Sequence, residues 1–274
     1  MKETKQLLDD ITVTIEHAQS NTPKYILYLH GGGLIYGSKN DLPHALKNRF
    51  LDQGYTILSL DYLLAPNTSV AEIIETLNKS FSVLGKMIIQ EQPFGICGRS
   101  AGSYLMFHLT KHLGRNKEIT PNFLINFYGY TDFEFLKKAP SPTERTLTAE
   151  VLTGIDQETP LADDPLMTRA LLYHYGQQQG ILADYYGLPK SQDWSNYAIR
   201  EEELADFPPC FSTASTTDQE VPFASSKRLS KQIPDSRFKP VYDLEHDFLK
   251  QTSEPQVQTV LKELSDWLSA KESF

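Results

Sequence analysis

The chain has 274 residues, of which 40% are hydrophobic and 22% charged, and a formal net charge of -9. That length and composition suit a folded protein with a large core and exclude a disordered or collagen-like chain. The negative charge, with no Lys/Arg cluster to offset it, repels phosphate backbones and anionic lipid, so neither nucleic acid nor a membrane is an expected partner.

The amino terminus places Lys2, Glu3, Lys5, Asp9 and Asp10 where a signal peptide needs an apolar core, and no later run approaches a membrane span. A cytoplasmic protein is expected. Apolar, β-branched or aromatic runs predict strands at Ile11 to Ile15, Tyr25 to Leu29, Tyr55 to Leu60, Phe94 to Cys97, Phe123 to Phe127, Cys210 to Ala214 and Phe238 to Tyr242. Helical spacing of apolar residues predicts helices at Val70 to Ile89, Ala101 to Leu113, Pro222 to Ile233 and Val257 to Leu268. Alternating strands and helices imply an α/β architecture, a mainly parallel twisted sheet of about eight strands flanked by helices on both faces. Residues 131–207 break the rhythm: they are rich in Pro, Tyr, Asp and Gln, with a helical patch at Pro165 to Tyr175 and no clear strand. One domain over residues 1–274, with an inserted helical cap at 131–207, is therefore expected. An insertion leaving the carboxyl end of a strand overhangs the ligand crevice of such a sheet, so the cap reads as a lid. Cys97 and Cys210 lie singly in apolar runs, which suits core residues and points to neither disulfide, metal nor cofactor.

Two glycine motifs carry the chemistry. Gly98-Arg99-Ser100-Ala101-Gly102 stands between a predicted strand and a predicted helix, where a sharp turn exposes a serine hydroxyl and small neighbours avoid clashes. The helix that follows also points its positive end at a developing anion. His30-Gly31-Gly32-Gly33 ends an earlier strand, and its glycines let backbone amides approach a substrate oxygen. No Gly-Lys-Ser/Thr follows them, which argues against a phosphate-binding loop. His30 is expected to pin this loop by hydrogen bonding. A serine nucleophile needs a base, and the base needs an orienting carboxylate, in the chain order Ser, Asp or Glu, His. Of the histidines after Ser100, only His246 follows the last predicted strand. Asp218, in the turn after the Phe211 to Ala214 strand, is the first choice of carboxylate, with Asp243 and Glu220 as competitors.

These residues resemble the hormone-sensitive-lipase-like branch of the α/β-hydrolase superfamily, which includes bacterial carboxylesterases and acetyl esterases. Asp61-Tyr62-Leu63-Leu64-Ala65-Pro66 is similar to a third stretch of that branch, D-Y-R-L-A-P. The likeness covers roughly Tyr25 to Tyr130 and Cys210 to Phe248. It implies an α/β-hydrolase fold, Ser100 as nucleophile, His246 and Asp218 as its partners, and the amides of Gly32, Gly33 and Ala101 as oxyanion donors. Leu63 departs from the usual Arg, Asn67 from the usual acidic residue, and the leader before the first strand is short, so the branch's amino-terminal lid is largely missing. The expected activity is ester hydrolysis of small to medium acyl esters, without a cofactor. An amidase or peptidase using the same triad, and a non-catalytic small-molecule receptor, are the alternatives. Leu34, Tyr36, Tyr104, Tyr128 and Phe248 are candidate pocket residues, although core packing explains aromatics there equally well. A homodimer is possible, with no residue to name for it.

Overall fold

A computed structural model describes residues 2–138 and 146–271. Every predicted strand is found, within a residue or two at its ends. In chain order the strands are β1 (Lys2–Leu8), β2 (Ile11–Glu16), β3 (Tyr25–Leu29), β4 (Thr56–Leu60), β5 (Phe94–Arg99), β6 (Phe123–Phe127), β7 (Cys210–Ser215) and β8 (Arg237–Val241). They form a single sheet in the order β1-β2-β4-β3-β5-β6-β7-β8. β2 pairs antiparallel with β1 and β4, and all remaining pairs are parallel. β1 had no apolar signal because Lys2–Leu8 is a polar edge strand, paired only with β2 and exposed along most of its length. Edge strands need no buried face, and charge there discourages pairing with other chains.

The helices are α1 (His44–Asp52), α2 (Val70–Leu84), α3 (Ala101–Asn116), α4 (Ala170–Gln179), α5 (Leu182–Tyr185), α6 (Glu201–Leu204), α7 (Phe223–Gln232) and α8 (Pro255–Lys271). α1 was not foreseen, because only Leu46 and Phe50 are buried on it and two apolar positions make a faint stripe. α2 begins at a capping box, in which Ser69 and Glu72 satisfy each other's backbone amides, and the helix continues in a wider turn to Ile89. Strand side chains alternate between two cores. Leu27 and Leu29 of β3 pack with Leu77 of α2 and Leu105 of α3 on one face, while Ile26 and Tyr28 pack with Phe50 of α1 and Leu261 of α8 on the other. Helices thus cover both faces, as a parallel sheet requires.

Between β6 and β7 lie α4, α5, α6 and short 3-10 turns, with no strand among the described residues. The helix of this stretch runs from Ala170 to Gln179, several residues beyond the patch read at Pro165 to Tyr175. Leu172, Tyr173, Leu182, Tyr186, Trp194 and Ile199 are buried in the same core as α2 and α3. Backbone hydrogen bonds stitch the stretch down: Leu64 N–H to Leu161 O, Asp164 N–H to Gly37 O, and Val70 N–H to Tyr186 O. Among the described residues, no helix is long and apolar enough to cross a membrane.

Candidate active site

Parallel strands bring the turns after β3, β5, β6, β7 and β8 to one edge of the sheet, and the candidate residues sit on those turns. Ser100 joins β5 to α3 with φ 50° and ψ -117°, held there by its N–H donating to Phe127 O at 2.9 Å. Flanking glycines are obligatory: a Cβ on Gly102 would lie 2.1 Å from Leu29 O, and one on Gly98 2.5 Å from the Ser103 nitrogen. The Ser100 turn is therefore pressed against β3 and its own helix, which leaves the Ser100 hydroxyl facing outward.

Ser100 Oγ is 2.8 Å from His246 Nε2, and His246 Nδ1 is 2.6 Å from Asp218 Oδ2. A carboxylate only accepts, so Nδ1 carries the proton and donates to Asp218, leaving Nε2 free to accept from the serine hydroxyl. Asp218 is held in turn by the Glu220 and Val221 amides, each 2.9 Å from its Oδ1, and its side chain is fully buried. Of the three carboxylates weighed for His246, Asp218 is the one paired with it. Asp243 is exposed, and Glu220 accepts from the Tyr173 hydroxyl at 3.0 Å. Burial opposes the charge on His246, yet the hydrogen bond it donates to Asp218 and the charges of Glu220, Asp218 and Asp247 outweigh it and raise its pKa above the ordinary 6.5.

His30 stacks on Tyr62, donates from Nδ1 to Gly31 O at 2.6 Å and has its own carbonyl bound by the Tyr62 hydroxyl. It pins the glycine loop, and burial lowers its pKa, so it stays neutral. Gly32 and Gly33 adopt φ 106° and 59°, and the Ile35 and Tyr36 amides turn back onto Gly32 O. Among the described residues, the Gly32 and Gly33 amides donate to no protein acceptor. Ala101 is the first residue of α3, so its amide has no helical carbonyl to bind. Gly32, Gly33, Ser100 and His246 line a cavity of ≈ 50 Å³, together with Tyr36, Tyr128 and Met167. A larger one of ≈ 310 Å³ lies where Phe135, Leu136, Tyr173 and Leu182 meet the Asp218 to Pro222 turn.

Two of the five candidate pocket residues, Tyr36 and Tyr128, line the cavity at Ser100. The other three lie in the core. Leu34 is fully buried. Tyr104 packs among Tyr130 and Phe133 and donates to Tyr197 O, and Phe248 packs edge-on against Tyr128. Proximity in sequence to a motif misplaces them, because helix and turn geometry aims these side chains inward.

Two further groups shape the site. Tyr173 covers the glycine loop: a Cβ on Gly33 would lie 2.3 Å from its ring. Arg99, Asp41, Asp247 and Lys250 form a charged wall beside Ser100. A charge next to a motif residue, as Arg99 is to Ser100 and Asp247 to His246, was the available signal. Asn67, where the resembled branch has an acid, donates to Asp156 O and Thr159 O and accepts from Arg169.

Residues 26–249 match a family described as having an alpha/beta hydrolase fold. The chain is similar to an alpha/beta hydrolase superfamily protein from Enterococcus faecalis, 52% identical over 98% of each chain, with a TM-score of 0.95. It is also similar to a protein of unknown function from Staphylococcus aureus subsp. aureus Mu50, 27% identical over 95% of this chain and 94% of that one, with a TM-score of 0.83. A curated esterase from Acinetobacter venetianus is 23% identical over 183 residues, which are 61% of this chain and 60% of that protein. The chain thus spans less than two thirds of that relative. Matched over most of its length, and with the mainly parallel sheet described above, the chain belongs to the alpha/beta hydrolase family.

Proposed function

We propose that the protein is a serine ester hydrolase of the carboxylesterase type, acting on small to medium acyl esters. The observation that carries the reading is the unbroken chain of hydrogen bonds from Asp218 through His246 to Ser100, beside a glycine loop with free amides. Ser100 Oγ attacks the ester carbonyl carbon as His246 Nε2 takes the hydroxyl proton, and the carbonyl electron pair moves onto oxygen. The Gly32, Gly33 and Ala101 amides hold that oxyanion, each such donor contributing about 2.7 to 4 kcal/mol in the transition state. The bond to the alcohol oxygen then breaks as His246 returns its proton to it, leaving an acyl-Ser100 ester. Water attacks this ester in the same way, with His246 as base, and the carboxylic acid departs. Asp218 stays ionised throughout and stabilises the imidazolium.

The narrow cavity at Ser100, walled by Tyr36, Tyr128 and Met167, favours short acyl groups. Ser100→Ala is expected to lower turnover of p-nitrophenyl acetate by about a million-fold, since triad members act as a unit. A panel of p-nitrophenyl esters from acetate to long acyl chains, run on both proteins, measures the activity and the acyl preference together. Undiminished hydrolysis by Ser100→Ala would sink the assignment.

A further inference from the structure

Arg99, the residue before the nucleophile, is buried to 2% exposure, and its guanidinium is almost fully committed. Nε donates to Tyr128 Oη at 3.0 Å. Nη1 donates to Tyr28 Oη at 3.0 Å and to the backbone carbonyl and Oδ2 of Asp41 at 3.1 Å, and Nη2 donates to Asp247 Oδ1 at 2.5 Å. Tyr128 Oη donates to the same Asp247 oxygen at 2.7 Å, and the Tyr128 ring stands edge-on to His246, 4.8 Å between centroids. One side chain thus joins the nucleophile turn after β5, the 39–41 turn, the turn after β6 and the turn after β8 that carries His246.

The geometry points to Arg99 as a positioning residue for catalysis: through Asp247 and Tyr128 it fixes the His246 turn relative to Ser100. The inference rests on the esterase reading above. Two features single this contact out from ordinary packing. Ser100 and Tyr128 both hold positive φ, at 50° and 46°, and such backbone persists only where its surroundings over-determine it. The planar guanidinium fork supplies that over-determination, since it binds in several fixed directions at once. Asp247 is also the immediate chain neighbour of His246, so anchoring its carboxylate restrains the turn from which the imidazole projects.

The charges make the role measurable. Tyr28, Cys97, Asp41, Tyr128 and Asp247 face Arg99, while Asp218, Glu220 and Asp247 face His246. Lys250 meets Asp247 from the exposed side at 2.7 Å. Burial opposes the charge of Asp247, yet Arg99, and after it Lys250, hold this carboxylate well below its ordinary range, so it is ionised beside His246. Removing the guanidinium leaves Asp247 with Lys250 as its remaining cation and takes Asp41's partner away, and the net loss of positive charge favours the imidazolium and carries the acid limb of activity to higher pH.

The test is the pH profile, kcat and KM of p-nitrophenyl acetate hydrolysis for the wild type, R99M, R99K, D247N, R99M/D247N and S100A, with melting temperatures recorded for each. R99M is expected to lower kcat about 10- to 100-fold, the scale of a misplaced catalytic group, with KM little changed. Its acid limb moves up in pH, that of D247N moves down, and the double variant returns toward the wild-type limb. R99K keeps the charge and therefore the limb, but loses the fork and part of kcat. Should R99M fail to fold, R99K and D247N carry the same test. Folded R99M or R99K with wild-type kcat, or a limb indifferent to both charges, overturns the positioning role, whereas S100A that still hydrolyses the ester overturns the esterase reading instead.

Discussion

Ser100 keeps a strained backbone because its neighbours leave no alternative, and the same crowding makes the flanking glycines sensitive. Gly102→Ala would drive a Cβ to 2.1 Å from Leu29 O, a backbone atom that cannot swing away. Overpacking of this kind costs about 1 to 3 kcal/mol and occasionally more, so a clear fall in melting temperature is expected, with loss of ester turnover. On the esterase reading, His246 sets the pH dependence. Its raised pKa means that activity declines on acidification at a pH above the ordinary imidazole value of 6.5. For stability the sign is opposite. The raised pKa adds stability that is complete below the unfolded value and lost as pH rises through the folded one. Asp218→Asn removes the largest influence raising that pKa, so the acid limb should move down and kcat fall by about 10⁴-fold, both read from one pH-rate profile.

At the scale of elements, the stretch between β6 and β7 is bound to the glycine loop and not merely laid over it. Arg169, just before α4, donates to Ile35 O and Ala65 O at 2.8 and 2.7 Å, and to Asp156 O and Asn67 Oδ1, each at 2.7 Å. Replacing it with leucine would leave two buried carbonyls, Ile35 O and Ala65 O, unpaired, each costing about 1 to 3 kcal/mol. Arg169→Leu is therefore expected to speed amide hydrogen exchange in both α4 and the 31–38 loop, while unchanged exchange in the loop would show that the two are not coupled. Ser69→Ala offers a milder comparison, since loss of the capping box should cost about 1 kcal/mol and leave turnover intact. The position of α2 was legible in Val70 to Ile89, because the spacing of one amphipathic face is a local property. The Arg169 clamp was not, since three of its four acceptors lie more than a hundred residues away and three of the four are backbone carbonyls, which every residue carries.

The whole molecule consists of two cores sharing one sheet, so their stabilities are coupled. Leu105→Ala in the core beneath α3 and Leu261→Ala in the core beneath α8 should each cost about 2 to 5 kcal/mol. Because β3, β5 and β6 contribute side chains to both, either substitution should shift one shared unfolding transition. Two separable transitions in calorimetry would contradict a single cooperative sheet.

Periodicity and local motif chemistry determined the α/β class, seven of the strands, the sharp turn at Ser100 and the glycine loop, since each depends on residues close together in the chain. Chain order alone selected His246. The pairing of Asp218 with His246 in preference to Asp243 or Glu220 was decided by tertiary structure. Asp243 is nearer in sequence, but the β8 turn leaves it exposed, while parallel pairing of β7 with β8 brings Asp218 alongside the imidazole. The burial of Leu34, Tyr104 and Phe248, and the four turns gathered by Arg99, were decided in the same way. Each depends on where separate strands end in space, and no local pattern in the chain encodes that distance.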